Sequence, residues 1–163
     1  MTDVDHEALF KLALEKVGKH NLPLPKKPNF DEAEFEIPED PDDLTTIELG
    51  QRMMQATAFY GYSKRLLGVL DAELVPLDYA YNLRIQQHGN LLRVDPTFKN
   101  RSGEIIEAAV LANNDSLAPL LARRLELRSI KVLLEARLEI YDRTYTVLSR
   151  ELSRREVESR ITG

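Results

Sequence analysis

Side chains able to do acid–base or metal chemistry are sparse and scattered in this chain. The histidines, His6, His20 and His88, lie far apart, and none pairs with another at the i, i+4 spacing that puts two ligands on one helix face. There is no cysteine, which rules out disulfides and thiolate metal sites. HExxH, GxxxxGK[ST] and GxSxG patterns do not occur. Glu104, Glu107 and Asp115 come nearest to a carboxylate cluster, and an acidic helix start explains them better. The expectation is a protein that is not an enzyme, with no catalytic residue, no metal site and no cofactor.

What remains is phosphate recognition. The segment Leu148-Ser149-Arg150-Glu151-Leu152-Ser153-Arg154-Arg155 alternates small hydroxyls with guanidiniums, and Arg and Ser are common phosphate contacts. At about 100° per residue, Arg143, Arg150 and Arg154 fall on one side of a helix. Arg93, Lys99 and Arg101 make a second basic cluster in a region of turn-forming residues. These six are the candidate DNA-binding residues. The tyrosines could stack on unpaired bases, but Tyr60, Tyr81, Tyr141 and Tyr145 sit where apolar seams are expected.

The net charge of −5 argues against a general nucleic-acid binder. Its distribution leaves room for a local basic surface. Residues 1–50 hold 5 Lys+Arg and 13 Asp+Glu, net −8, and residues 51–163 hold 17 and 14, net +3. No run of 18 apolar residues and no signal peptide is found, so the expectation is a soluble cytoplasmic protein with no membrane partner.

The elements that must position these residues are helical. A long helix is expected from Asp115 to about Glu158, interrupted only by Pro119 near its start. Leu134, Leu138, Tyr141, Tyr145, Leu148 and Leu152 are spaced 4, 3, 4, 3, 4, the 3.5-residue period of a helix supercoiling against another. These six are the candidate oligomer seam. A second long helix is expected over 44–88, capped by Asp43 and stopped at Gly89-Asn90. Its seam is Met53, Ala56, Tyr60, Leu67, Leu70, Leu74, Leu77 and Tyr81, with Ser63 in the one skipped place. That seam keeps its phase across Pro76, which predicts a kinked but continuous helix. A turn region at 89–103 and a short helix from Glu104 to about Ala112 join the two.

Upstream, residues 3–19 read as a short amphipathic helix and 21–43 as a proline-rich linker. Between Asp31 and Asp43 the linker carries eight acids and no Lys or Arg. The expected fold is all-α: a long antiparallel helical hairpin with coiled-coil-like seams, preceded by an N-terminal helix and an extended acidic linker. The expected domains are 1–43 and an oligomerisation domain over 44–163. Phe59, Tyr62, Leu66 and Val69 lie off the main seam, more apolar surface than two helices can bury, so a homo-oligomer is expected.

Three stretches resemble the phage recombination mediators of the UvsY type. They are Tyr62-Ser63-Lys64-Arg65-Leu66, then Ile106-Glu107-Ala108-Ala109-Val110-Leu111, then the closing helix with Leu133-Leu134-Glu135-Ala136, Tyr141 and Leu148 to Arg155. The resemblance covers about residues 45–158. It implies a ring-forming helical phage protein of the host cytoplasm that binds single-stranded DNA. Its partners would be a RecA-like recombinase and the single-strand-binding protein that the recombinase displaces. Two features depart from that pattern: residues 77–92 offer only Arg84, and the 31–43 segment is acidic. The contrasting expectation is a phage virion or assembly structural protein built on the same hairpin, without DNA binding.

Overall fold

A computed structural model describes residues 41–162, with 25–29 and Lys11, Glu15, Lys16, Gly18 and Lys19 from the N-terminal part. Most of the expected 3–19 helix and of the acidic linker lies outside the described residues. Among the described residues there are helices and turns and no strand. Three α-helices follow in order, α1 (Thr46–Leu92), α2 (Gly103–Ala112) and α3 (Ala118–Thr162), with 3-10 turns at Pro41–Asp43 and Asp115–Leu117.

Local chemistry sets the helix limits. α1 starts with a reciprocal cap. The Glu48 carboxylate accepts from the Thr45 backbone N–H and hydroxyl, each at 2.7 Å, and the Thr45 hydroxyl accepts from the Glu48 N–H at 3.3 Å. These bonds hold the Glu48 carboxyl below its ordinary range. Thr45 is therefore the cap in place of the expected Asp43. α1 runs unbroken through Pro76, as its seam phase predicts. It also runs through Gly89-Asn90, the expected stop, and ends at Leu92. The reason is packing: a Cβ on Gly89 would come within 2.7 Å of Ile106 Cγ2. Gly89 lets α2 approach α1 closely and does not terminate it. At the start of α3, Asn114 caps the 3-10 turn by accepting from the Ser116 N–H at 3.2 Å, a role expected of Asp115.

The chain packs as two compact units. One is Met1–Val69 with Val132–Gly163, the terminal unit; the other is Leu70–Lys131, the turn unit. In each, α1 and α3 segments pair antiparallel.

In the turn unit, Ile106, Val110 and Leu117 form a core, covered by Ile85, Leu92, Phe98, Leu111 and Leu120. Tyr81 is buried and donates its hydroxyl to Glu107 at 2.7 Å, while the Arg124 guanidinium lies 4.6 Å from the Tyr81 ring centre. Burial first, and then the Glu107 bond, push the phenol up to about 12. Charged pairs cross from α3 to α1: Lys131 to Asp71, Arg123 to Glu73, and Arg124 and Arg128 to Asp78.

In the terminal unit, Leu49, Ala56, Phe59, Ser63 and Leu66 of α1 are buried, as are Leu134, Leu138, Tyr141, Thr144, Leu148 and Glu151 of α3. The Phe59 and Tyr141 rings lie 5.8 Å apart. The seams are thus rotated from the expected ones. Phe59 and Leu66 take the places given to Tyr60 and Leu67, and Thr144 and Glu151 those given to Tyr145 and Leu152. Both sets keep the same seven-residue repeat, and which of two adjacent residues faces inward is set by the fit of one helix on the other. Polar groups tolerate the shift because they are satisfied. The Thr144 hydroxyl donates to the Ile140 carbonyl at 2.9 Å, and Glu151 accepts from Arg154 and Arg155.

Candidate nucleic-acid interface

The candidate basic residues fall in two places, one in each unit. In the turn unit, Arg93, Lys99 and Arg101 lie in the connection between α1 and α2, and all three are exposed. That connection is shaped locally. The Asp95 carboxylate accepts from the Thr97 backbone N–H at 2.8 Å, which fixes the turn through Pro96 and holds the Asp95 carboxyl below its ordinary range. Phe98 anchors it to the α2 core, and Arg101 Nε donates to the Thr97 carbonyl at 3.3 Å. Leu91 and Val94 stand exposed beside the cations. Among the described residues, no ion pair holds Arg93, Lys99 or Arg101.

In the terminal unit, Arg143, Arg150 and Arg154 share the outward side of α3 and are exposed. They are not equivalent. Arg143 and Arg150 carry no ion pair among the described residues. Arg154 is held by Glu151 at 2.8 Å, Glu158 at 2.7 Å and Asp42 at 2.8 Å. These bonds, Glu151 foremost, raise its pKa.

Arg155, which the spacing argument passed over, is more deeply engaged. It bonds Glu151 and donates to the carbonyls of Leu44 at 2.6 Å, Asp42 at 3.0 Å and Pro41 at 3.2 Å. It fastens the turn that leads into α1. Hydrogen bonds from Arg154 and then Arg155 pull the Glu151 carboxyl down to about 2. The Glu151–Arg155 spacing of four was a visible signal for half of this cluster. The backbone carbonyls at 41–44 were not.

Of the six expected seam residues, Leu134, Leu138, Tyr141 and Leu148 are buried within the protomer. Tyr145 and Leu152 instead line an apolar groove between α1 and α3, with Gly50, Met53, Met54 and Thr57 on the opposite wall. The carboxylates once grouped as a cluster separate by role, with Glu107 serving Tyr81 and Asp115 opening the 3-10 turn. Among the described residues, no group of three or more His, Asp or Glu could hold a metal ion, and no helix is long and apolar enough to cross a membrane. Compared with family models, with curated proteins and with solved structures, the chain gives no match.

Proposed function

We propose that the chain is a self-associating helical protein that binds single-stranded DNA and helps a RecA-like recombinase replace a single-strand-binding protein, acting in the cytoplasm, that of the host if it is phage-encoded. The observation carrying this reading is a division among the cations. Arg123, Arg124, Arg128 and Lys131, which face α1, are spent on carboxylates. Arg93, Lys99 and Arg101 are left exposed on one short, locally fixed turn, beside exposed apolar Leu91 and Val94. Cations neutralise phosphates and apolar side chains meet base faces. Arg143 and Arg150 are a separate exposed pair of cations on the other unit.

Single-strand binding releases counterions, so log affinity should fall with log salt at roughly −0.7 per phosphate contact. Replacing Arg93, Lys99 and Arg101 with alanine should flatten that slope by about 2. Asp42→Asn should release one bond on Arg154 and raise affinity at low salt. Fluorescence anisotropy with a labelled oligothymidine over a salt series measures both. Binding that is absent at low salt, or whose slope ignores the triple substitution, would leave the second reading. That reading, an assembly protein of a phage particle without DNA binding, draws on the apolar groove of the terminal unit, a surface suited to protein contact.

A further inference from the structure

The α1–α3 seam of the terminal unit has two unlike flanks. At about 100° per residue, Tyr62 stands about 60° to one side of buried Phe59, and Tyr60 about 100° to the other. On α3, Arg137 and Tyr145 part from Tyr141 in the same way, by about 40° each. The flank at Tyr60 and Tyr145 is an open groove. The flank at Tyr62 and Arg137 carries a piece of the chain's own N-terminal part. Lys27 shares a cavity of about 90 Å³ with Phe59, Tyr62 and Leu66 of α1 and with Arg137 and Tyr141 of α3. Two residues before it, Pro25 is fully buried. All of these belong to the terminal unit.

The segment is built for such a place. Residues 25–28 form no helix, strand or turn. Each proline fixes its own φ, and Pro28 also biases Lys27 to an extended backbone. A chain so restricted loses little conformational freedom on docking, and Pro25 has no N–H for burial to leave unpaired. Aromatic-lined grooves are how proline-rich segments are recognised. The rings beside this one are Phe59, Tyr62 and Tyr141, and Phe59 and Tyr141 lie 5.8 Å apart. Apolar surface at Phe59, Tyr62 and Leu66, assigned from sequence to an oligomer contact, is thus met within the protomer.

We propose that this flank is a recognition site for a proline-rich segment, filled in cis by Pro25–Pro28, and that once vacated it takes the same segment of a second copy. The site reads proline and not charge, because Pro25 is the buried residue while Lys26 and Lys27 remain exposed. Residues 30–40 tether the segment to the start of the described hairpin. A short tether gives an effective concentration of about millimolar, so a free segment competes poorly with the tethered one. This goes beyond the proposed function and uses none of the candidate DNA contacts.

The full-length chain tests it with a variant that vacates the site. Pro25→Asp puts a charge at the buried position and should release the segment. Circular dichroism melts should match the parent, since Pro25 lies outside the helices. A fluorescein-labelled peptide of residues 24–31 should then bind Pro25→Asp about tenfold or more tighter than it binds the parent, whose own segment competes. Replacing both prolines of the peptide with alanine should remove most of that affinity, and replacing both lysines with glutamine should not. Adding Tyr62→Ala to Pro25→Asp should abolish the gain. Docking in cis is read by trypsin cleavage after Lys26. Tyr62→Ala alone, which leaves the segment's sequence intact, should speed that cleavage about tenfold, toward the rate of the free peptide. Peptide binding that is absent, equal for parent and Pro25→Asp, or blind to the prolines overturns the recognition. A cleavage rate that ignores Tyr62→Ala overturns the docking.

Discussion

The two units pair the same two helices by different means. In the turn unit, where Leu70 and Leu74 of α1 and Leu127 of α3 are buried, charge pairs are added across the two helices: Lys131 reaches Asp71, Arg123 reaches Glu73, and Asp78 takes both Arg124 and Arg128. In the terminal unit the contact is written in packing, with Phe59 on Tyr141 and a row of buried leucines and alanine between. Charge pairs fix register, because sliding by a turn leaves each cation opposite the wrong group. Leucine seams accept several registers and leave their flanks apolar.

The sharpest way to break the comparison is a charge in the packed seam. Leu138→Asp places an unpaired carboxylate at a buried position of the terminal unit and should cost about 4 kcal/mol or more. Urea unfolding measures it, and an unchanged midpoint would show that the leucine row does not hold α3 to α1.

A smaller effect is expected where the turn unit is tightest. Gly89→Ala forces a Cβ against Ile106, an overpacking cost of about 1–3 kcal/mol, set against up to about 1 kcal/mol of improved helix propensity. A net loss should appear in thermal melts. Shortening Ile106 to valine should recover part of it if this contact is the cause.

The smallest effect comes from acid. Burial opposes the charged form of Asp78, but hydrogen bonds from Arg124 and Arg128 outweigh it and hold its pKa below the usual 3.8. Stability from this group is therefore fully present above pH 3.8 and lost as pH falls through the lowered value. Glu151 behaves likewise in the other unit, with its share lost between about pH 4.5 and about 2. Asp78→Asn should cost about 1 kcal/mol at neutral pH and flatten the acid limb of a melting-temperature titration. An acid limb identical to the parent's would remove Asp78 from the account.

Much of this was legible in the sequence. Heptad spacing gave two long helices, because apolar residues at 3.5 intervals can bury a stripe in only one regular conformation. Unbroken phase carried α1 through Pro76 for the same reason. The breakers around Asp95-Pro96 and Asn113-Asn114 marked off α2. Spacing could not say which of two adjacent residues faces inward, and Phe59 against Tyr60, or Thr144 against Tyr145, was decided by the fit of one helix on the other. Nor could it say that Gly89 serves a close approach and not a helix end, since that depends on Ile106, distant in sequence. Among the candidate cations, type and position named Arg93, Lys99, Arg101, Arg143, Arg150 and Arg154 alike. Glu151 and Glu158 stand three before and four after Arg154 on one helix, a pairing that spacing shows, but only the tertiary structure brought Asp42 to it. A charge is visible in one dimension, but whether it is already neutralised depends on neighbours that folding brings within about 3 Å.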